Sequence, residues 1–585
     1  MASACSSRLL LVLLTVACGR QDIELYPGLT TTLGGGPNMM PEPKPDDPEP
    51  DGPSIADPEP DEPTPEQCAA VAPPGLLAAL PPMGWNGWNS FACSPELDDQ
   101  RVRGIADAMI TSGMQAAGYH YVNLDDCWEL ERSAAGEIVE DPVKLPNGMR
   151  ALSLSLHMQG FKLGVFRRAG DCLEASAGRY TADAAKYADW GVDLLKVVAC
   201  QGGDAPDTRG DYEQLVAALE GSGRSVVLSI TAPPFAEWMP AVGQMFRNSG
   251  AIAPSWESIL EVLDATTPLA AYARQGAYND PDILELGVAD LTEAEARAHF
   301  SLWSILSAPL LAGNDLTIMS ESTRQILTNQ EVIALDQDPL GLQGALLRRE
   351  GDLDVYAKPL AGCGARGVVL FNRGSAPIDT TLSWSELWLE PGSATARDLW
   401  NHTDVVATDS LGLSVPPHDV VALRVVGSEP PTPRGEVWLD EVPFTYVTNG
   451  YGPVERNTSN GETEAGDGRP LSMRGRVYAH GLGVHPPSLI RYRLGGTCTR
   501  FTAQVGVDDE VEGNGSVFFQ VWSDGEKLFD SGVMTGTTPP RQVDVSLEGR
   551  MDLRLFVGTG DDGVALDHAD WAEARLTCEG ESEAR

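Results

Sequence analysis

The feature that most constrains the fold is an alternation of apolar, strand-like runs with amphipathic, helix-like runs over residues 78–340. The strand-like runs include GYHYVNLDD, GFKLGVF, GVDLLKVVA and SVVLSITA, and helix-like stretches such as YTADAAKYADW and DYEQLVAALE separate them. Apolar strands joined by helices are typical of parallel sheets, and this length suits a (β/α)8 TIM barrel. An open doubly wound sheet is the alternative, although no glycine-rich dinucleotide motif follows any of the strand-like runs.

The chain changes character after the barrel region. Residues 341–426 carry short β-branched runs spaced by Gly and Pro, which are typical of a small antiparallel β domain. A linker at 427–434 leads to a second β-rich region at 435–580, with hairpin signals such as VWSDGEKLF. The sequence therefore predicts a multidomain protein: a (β/α)8 TIM barrel, an antiparallel β domain and a β-sandwich.

The N-terminus is typical of an exported protein. Residues 1–18 hold a basic residue, the apolar run LLLVLLTVA and a small residue before Cys18, a pattern that resembles a bacterial lipoprotein signal; ordinary signal-peptide cleavage is the alternative. Residues 19–77 include a segment so rich in proline and acidic residues that it predicts an extended tether. We expect a cell-surface or periplasmic lipoprotein that contacts the membrane only through a lipid at Cys18.

The acidic composition limits the partners. The formal net charge is −43 at pH 7, whereas binding to nucleic acids or anionic membranes relies on clusters of Lys and Arg. The sequence therefore argues against both of these partners and remains compatible with neutral ligands. Export also permits disulfides, and eight cysteines remain when Cys5 and Cys18 are set aside.

Several motifs occur in an order that is highly specific. They include PPMGWNGWNSF (81–91), AAGYHYVNLDDCW (116–128), YNDPDILELG (278–287) and SAPLLAGNDL (307–316). Together they resemble glycoside hydrolase family 27, the retaining α-galactosidases and α-N-acetylgalactosaminidases. The resemblance covers residues 78–426 and implies a galactose-containing glycan as ligand, with no required cofactor and no metal in the barrel.

The resemblance also implies a set of sugar contacts at the barrel rim. A Trp offers an apolar face to a sugar ring, and two adjacent carboxylates at a strand end can accept hydrogen bonds from neighbouring hydroxyls. The alternatives are a solvated loop for the Asp pair, and a structural role for the NDPD stretch in tying rim loops together. The implied contacts are Trp85, Asp125, Asp126, Lys196, Arg247 and Asp280.

The two catalytic positions of the family lack carboxylates in this chain. Retaining hydrolysis needs a nucleophile and an acid/base about 5 Å apart. The family places its nucleophile in a Lys-aromatic-Asp-x-Cys stretch; here Lys196 and Cys200 match it, and Val198 stands at the Asp position. The acid/base position, four residues after Arg247, holds Ala251. Because valine cannot form a glycosyl ester and alanine cannot donate a proton, we predict that both catalytic groups are lost.

Further departures surround these positions. The family's Tyr-x-Asp motif on strand three becomes Phe166-Arg167-Arg168, and its Cys-Glu-Trp stretch on strand five becomes approximately TAPP at 231–234. Because alternate strand residues share a face, Arg168 is expected in the pocket with Phe166. We hypothesise that Arg168 favours an acidic or sulfated galactoside; an internal ion pair that seals the pocket is the alternative.

Three functions follow from these residues. A non-hydrolytic galactoside-binding pseudoenzyme is the first prediction. An active α-galactosidase with relocated carboxylates is the second, for which Asp171, Asp204 and Glu237 are the candidates near the rim. A purely structural surface protein is the third.

Residues 435–580 resemble the NPCBM (family 51) carbohydrate-binding β-sandwich, through stretches such as GLGVHPPS and DHADWAEARL. The resemblance implies galactose-containing glycans as ligands. Burial in the core is the alternative for His485 and Trp571. The stretch VDDEVEGNG (507–515) predicts a Ca²⁺ site through its carboxylates, with a solvated acidic turn as the alternative. The candidate glycan contacts are His485, Asp567, His568 and Trp571.

The cysteines agree with these resemblances. Two pairs are implied by the barrel family, and a third brackets the second half of the sandwich. Cys68 and Cys363 remain, and the sequence leaves open whether they join the tether to the small β domain. The implied pairs are Cys93 with Cys127, Cys172 with Cys200, and Cys498 with Cys578.

Overall fold

The structure is a computed structural model that describes residues 75–167, 176–199, 208–232, 234–461, 464–560 and 563–580. Several sequence predictions concern residues outside these ranges: the signal, nearly all of the tether, Arg168, Asp171, Asp204 and the pairing of Cys172 with Cys200. Among the described helices, none combines the length and apolar character that a membrane-spanning helix requires.

Eight parallel strands curl into a barrel, as the alternating pattern predicts. They are hydrogen-bonded in the order β7-β6-β5-β4-β3-β2-β1-β8. A parallel bridge between Leu284, shortly after β7, and Ala312 on β8 links the two ends of the sheet. The strands are β1 (Met83–Asn86), β2 (Tyr121–Leu124), β3 (Lys162–Phe166), β4 (Leu194–Val198), β5 (Val227–Thr231), β6 (Met245–Arg247), β7 (Tyr278–Asp280) and β8 (Leu310–Ala312).

Helices surround the barrel and follow local sequence signals. The second helix follows its cap residue Asp98, whose side chain accepts the Arg101 N–H. This helix buries Val102, Ile105 and Met109 at helical spacing. The eighth begins with a capping box between Thr292 and Glu295. The helices are α1 (Trp88–Phe91), α2 (Asp99–Thr111), α3 (Met149–Met158), α4 (Tyr180–Trp190), α5 (Thr208–Gly221), α6 (Met239–Val242), α7 (Trp256–Thr266), α8 (Glu293–Ile305), α9 (Glu321–Leu327) and α10 (Gln330–Asp336).

An antiparallel β domain follows, with a six-stranded sheet in the order β14-β13-β16-β11-β10-β9 and a two-stranded sheet, β12-β15. Alternate residues of β11 pack into two different apolar cores. Val369 and Phe371 join the barrel core, whereas Val368 and Leu370 face the domain's own core. The strands are β9 (Ala345–Glu350), β10 (Leu353–Pro359), β11 (Ala365–Asn372), β12 (Ile378–Ser383), β13 (Ser393–Asp398), β14 (Thr403–Thr408), β15 (Ser410–Val415) and β16 (Val420–Val426).

The C-terminal region is a β-sandwich. One sheet has the order β19-β22-β30-β24-β28 with β17 beside β30, the other β18-β23-β29-β25-β26 with β27 beside β25, and β20 pairs with β21. The strands are β17 (Glu436–Trp438), β18 (Tyr446–Thr448), β19 (Glu455–Arg456), β20 (Ser472–Met473), β21 (Arg476–Val477), β22 (Gly481–Val484), β23 (Ser488–Arg493), β24 (Cys498–Val507), β25 (Ser516–Ser523), β26 (Glu526–Asp530), β27 (Met534–Thr535), β28 (Arg541–Ser546), β29 (Asp552–Thr559) and β30 (Ala569–Cys578).

A shared apolar core joins the barrel, the β domain and the sandwich. The Tyr272 ring of the barrel lies 5.5 Å from the Phe556 ring of the sandwich. Trp388 of the β domain lies 5.5 Å from Tyr446 of the sandwich, and the Tyr446 hydroxyl donates to the Gln343 carbonyl at 2.8 Å. Buried aromatic contacts of this kind fix the sandwich against the other two domains.

Two of the implied disulfides are present, Cys93–Cys127 and Cys498–Cys578. Cys363 is also disulfide-bonded, and the question of its pairing with Cys68 lies outside the described residues. Disulfides of this number are typical of extracellular proteins.

Candidate functional site

A cavity of about 730 Å³ opens at the carboxyl ends of the barrel strands. This end of a TIM barrel carries the active site in the enzymes of this fold, because the strand ends and following loops converge there. Several strands end on a lining residue: Asn86 on β1, Phe166 on β3, Val198 on β4, Thr231 on β5 and Arg247 on β6. The cavity is called the barrel pocket below.

Asp125 is a carboxylate of the barrel pocket that two side chains hold in place. It follows β2, is buried, and accepts hydrogen bonds from Asn86 Nδ2 at 2.7 Å and Lys196 Nζ at 3.2 Å. Lys196 Nζ also lies 4.6 Å from the centroid of the Phe166 ring. Asp125 and Lys196 thus offer a fixed hydrogen-bond acceptor and a fixed ammonium donor next to each other in the pocket.

Asp126 is presented by a tightly constrained turn. Its Oδ1 accepts the Cys127 N–H at 2.6 Å, and Cys127 adopts a left-handed backbone with φ of 70°. The Cys93–Cys127 disulfide ties this turn to the segment after α1. The turn therefore brings both carboxylates of the Asp pair to the pocket wall.

Arg247 and Asp282 form a buried ion pair at the pocket. Asp282 also accepts the Ile252 N–H at 3.0 Å. Burial opposes ionisation of Asp282, but Arg247, Lys196 and the backbone donors hold its pKa below the ordinary value. The pKa of Arg247 is raised, because the neighbouring carboxylates outweigh the effect of burial.

Asp280 takes a different place from its neighbour in the NDPD stretch. Asp282 lines both the barrel pocket and a small neighbouring cavity. Asp280 lines the small cavity and not the barrel pocket, and it accepts the Asp282 N–H at 2.9 Å. Burial raises the pKa of Asp280 against the opposing effect of Arg247. This placement favours the structural role that the sequence left open for Asp280, and Asp282 is the pocket residue that sequence reasoning missed.

The aromatic face at the pocket comes from Trp88 and not from Trp85. Trp85 is 0% exposed and its Nε1 donates to the Asn314 carbonyl at 2.8 Å. Trp88, three residues later in the same motif, is 38% exposed and lines the pocket. Both tryptophans stand in the motif PPMGWNGWNSF, so the sequence alone did not separate the buried ring from the accessible one.

Val198 and Ala251 both line the barrel pocket. The described carboxylates that line it with them are Asp125, Asp126 and Asp282. Two of these are held by cations, Asp125 by Lys196 and Asp282 by Arg247. Within the described part of the pocket wall, positions 198 and 251 thus present apolar side chains.

Glu237, one of the relocated-carboxylate candidates, faces the sandwich. It accepts hydrogen bonds from the Tyr272 hydroxyl and from Thr559, through its N–H at 2.8 Å and its hydroxyl at 2.6 Å. Glu237 is therefore an interdomain contact and does not line the barrel pocket. Asp171 and Asp204 lie outside the described residues.

The candidate glycan contacts of the sandwich fall into two groups. The His485 and His568 rings lie 5.7 Å apart, the exposed Tyr451 ring lies 5.8 Å from His485, and His568 Nδ1 is 2.5 Å from Glu510. Together they form a polar and aromatic cluster at one end of the sandwich.

Asp567 and Trp571 are interior residues of the sandwich. Asp567 is fully buried and accepts the Ser516 N–H at 2.8 Å. Trp571 packs against Phe501 and Phe519 in the core between the two sheets. Trp571 is therefore a core residue, and His485 is also buried, at 7% exposure, although its ring faces the polar cluster.

The acidic turn at 507–515 organises its own backbone. Asp508 accepts N–H groups from Ser472 and Glu510, each at 2.8 Å. Asp509 accepts those of Arg474 at 2.8 Å and Gly475 at 2.7 Å. Within the described ranges, no group of three or more His, Cys, Asp or Glu side chains is arranged to hold a metal ion. The Ca²⁺ site stays a prediction.

The fold and the two sites define a carbohydrate-active TIM-barrel protein with an appended carbohydrate-binding sandwich. Residues 80–338 match the model of the α-galactosidase A family, 350–425 match the α-galactosidase C-terminal β-sandwich domain, and 435–577 match the NPCBM/NEW2 domain. The chain belongs to glycoside hydrolase family 27, the α-galactosidase family.

Similar proteins and solved structures support this family assignment. The chain is 40% identical to α-galactosidase 2 of Arabidopsis thaliana, over 58% of this chain and 88% of that protein. It is 39% identical to α-galactosidase A of Cellvibrio japonicus, over 60% of this chain and 92% of that protein. The structure of α-galactosidase I from Mortierella vinacea matches 61% of this chain and 99% of that one, with 28% identity and a TM-score of 0.56. Both domain families imply glycan ligands.

Proposed function

We propose that this protein is a non-hydrolytic member of its family, which binds galactose-containing glycans in the barrel pocket and releases no sugar. The observation that carries the proposal is that Val198 and Ala251 both line that pocket, at the positions where the family resemblance puts the nucleophile and the acid/base. The loss of a nucleophile or a general acid commonly costs several orders of magnitude in rate.

The described carboxylates support this proposal because they are already engaged. Retaining hydrolysis requires a nucleophile free to attack the anomeric carbon and a second carboxyl group that shuttles a proton. Asp125 is held by Asn86 and Lys196, and Asp282 is held by Arg247 and the Ile252 N–H. These contacts suit residues that position hydroxyl groups, and among the described residues they leave the two catalytic roles unfilled.

The same contacts favour retained binding. Asn86, Asp125, Lys196, Arg247 and Asp282 supply fixed donors and acceptors on strand ends, and Trp88 supplies an apolar face. Rigid polar groups beside an aromatic surface are the usual composition of a small-molecule pocket. A galactoside would thus meet an organised site in which, among the described residues, the two reacting groups are absent.

The test is turnover and binding measured on the same preparation. The wild-type protein is incubated with an aryl α-galactoside, and D-galactose binding is measured by calorimetry, with Asp125→Asn as the control that disrupts the pocket. We expect no turnover by the wild type, measurable galactose binding, and loss of binding in the control. The double variant Val198→Asp/Ala251→Asp is expected to gain turnover. Clear release of galactose by the wild type would establish the relocated-carboxylate alternative instead.

We also propose that the sandwich binds galactose-containing glycans through the cluster around His485 and His568, and that the protein is exported and anchored by a lipid at Cys18. The disulfides and the NPCBM match support export and glycan binding. Labelling with a fatty-acid analogue, compared between the wild type and Cys18→Ser, tests the anchor. Equal labelling of the two would refute it. The preference of Arg168 for acidic galactosides stays a hypothesis.

A further inference from the structure

A second cavity, of about 290 Å³, lies between the outside of the barrel and the sandwich. The barrel contributes α6 and residues 271–275, and the sandwich contributes the sheet that contains β25, β26 and β29. It is separate from the barrel pocket, whose lining residues are different. We call it the interdomain cleft.

Arg274 places a positive charge in the interdomain cleft without an acidic partner. Its guanidinium donates to the backbone carbonyls of Pro240 and Tyr272, and among the described residues it forms no ion pair. Burial, and secondarily the nearby Arg554, lower the pKa of Arg274 to about 10. A cation withdrawn from water without a counter-charge is costly, and the usual compensation is an anionic partner.

Aromatic side chains form the apolar part of the same cleft. The Arg274 guanidinium carbon lies 5.0 Å from the centroid of the Trp522 ring, and the Phe518 and Phe556 rings lie 5.8 Å apart beside it. The Trp522 indole N–H donates to Gln520 Oε1 at 2.9 Å, which fixes the orientation of the ring. Aromatic faces combined with a polar rim are suited to the C–H faces and hydroxyl edges of a sugar.

The rim adds a second cation. Lys527 lines the cleft, and its Nζ lies 5.8 Å from the Trp522 ring centroid and 2.7 Å from Asp530. The cleft thus combines Arg274, which is partly exposed and forms no ion pair among the described residues, with Lys527 at the rim. Glu237 also lines the cleft, and its carboxylate is held by the Tyr272 hydroxyl and by Thr559. This arrangement distinguishes it from a plain apolar seam between domains.

We propose that the interdomain cleft is a second glycan-binding site, which takes a sugar residue that carries a carboxylate or a sulfate. The acid group accepts hydrogen bonds from Arg274, whose planar fork matches such an anion, and the sugar ring packs against Trp522, Phe518 and Phe556. The site needs both the barrel and the sandwich, because each contributes one half of it. The proposal does not rest on the function assigned to the barrel pocket.

The experiment uses the full chain and three probes: sodium D-galacturonate, D-galactose 6-sulfate and neutral D-galactose. Binding is measured by calorimetry at low and high NaCl. We expect at least one of the two anionic sugars to bind the wild type more tightly than galactose does, with an affinity that falls as salt rises. Arg274→Gln is expected to weaken that binding about tenfold or more, the scale of one charge-assisted hydrogen bond.

Matched variants separate the cleft from the barrel pocket. Ala241→Trp fills the cleft from an exposed position and is expected to abolish anionic binding even if Arg274→Gln fails to fold. Arg209→Gln, an exposed arginine on α5, is expected to change nothing. Asp125→Asn is expected to abolish galactose binding alone. Unchanged anionic binding in Ala241→Trp, or its loss in Asp125→Asn, would overturn the proposal, as would equal binding of neutral and anionic sugars by the wild type.

Discussion

The guanidinium of Arg247, the last residue of β6, is paired with the carboxylate of Asp282, which lies just beyond β7. Asp282 reaches this position through a left-handed backbone, with φ of 79°. The pair lies beside Ala251 in the pocket wall and is withdrawn from solvent. It therefore contributes both to the shape of the barrel pocket and to the stability of the barrel.

Replacement of Arg247 by Met is expected to lower the free energy of unfolding by about 3–5 kcal/mol, because Asp282 is then a buried charge without its partner. The pKa of Asp282 is depressed in the folded protein, so its contribution to stability is present above the ordinary value of 3.8 and is lost as pH falls below it. In the Arg247→Met variant, the stability that Asp282 contributes above pH 3.8 should be absent, so its loss in acid should disappear. Denaturant unfolding of both proteins between pH 3 and pH 7 measures it. An identical pH dependence of the two would contradict the assignment.

The two tryptophans of the first motif are expected to separate binding from stability. Trp88→Ala should weaken galactose binding about tenfold and leave the melting temperature nearly unchanged, since the ring is partly exposed at the pocket. Trp85→Ala should cost about 3–5 kcal/mol of stability, because it empties a fully buried site. Calorimetric titration and thermal unfolding of each variant test this. The opposite pattern would return the sugar-stacking role to Trp85.

Glu237→Ala is expected to loosen the contact between the barrel and the sandwich. It leaves the Tyr272 hydroxyl and the Thr559 N–H without their acceptor, at a cost of about 1–3 kcal/mol. Thr559→Val removes one hydroxyl only and serves as the milder control. Thermal unfolding and limited proteolysis between the domains report the effect. If the wild type hydrolyses galactosides and Glu237→Ala abolishes that activity with no change in stability, Glu237 would be catalytic after all.

Glu285 is expected to make stability fall as pH rises. Burial raises its pKa to about 8, against the hydrogen bond from Asn89. Because the folded state binds this proton more tightly than the unfolded state, stability is full below the ordinary pKa of 4.5 and is lost as pH rises to about 8. Glu285→Gln, which keeps the shape of the protonated form, should stabilise the protein at pH 8 by about 1–4 kcal/mol and leave it unchanged at pH 4.

Unfolding of the wild type and Glu285→Gln at both pH values measures this difference. Glu293→Gln, at an exposed position on α8, is the matched control. A variant that is equally stabilised at pH 4 and pH 8 would show that removal of the charge is not the cause.

The architecture could be predicted from the sequence, and so could the two pocket positions at which the family resemblance leads us to expect carboxylates. Alternating runs between 78 and 340 predicted the barrel, since parallel strands covered by helices must be apolar on both faces. Lys196 and Cys200 set the register that identifies Val198, and Arg247 and Trp256 set the register that identifies Ala251. The structure brings Val198 and Ala251 to one pocket.

The sequence could not show that Asp282 and Trp88, rather than the predicted Asp280 and Trp85, line the barrel pocket. Asp280 and Asp282 are two residues apart, and no feature of their spacing distinguishes a pocket residue from a structural one. The left-handed backbone at Asp282 turns its carboxylate towards Arg247. Trp85 and Trp88 are likewise separated by the turn into α1. Glu237 faces Thr559, which lies 322 residues away in the chain, and the interdomain cleft needs Arg274 and Trp522 from different domains. Such contacts form only when distant segments pack together, so local sequence patterns carry no signal for them.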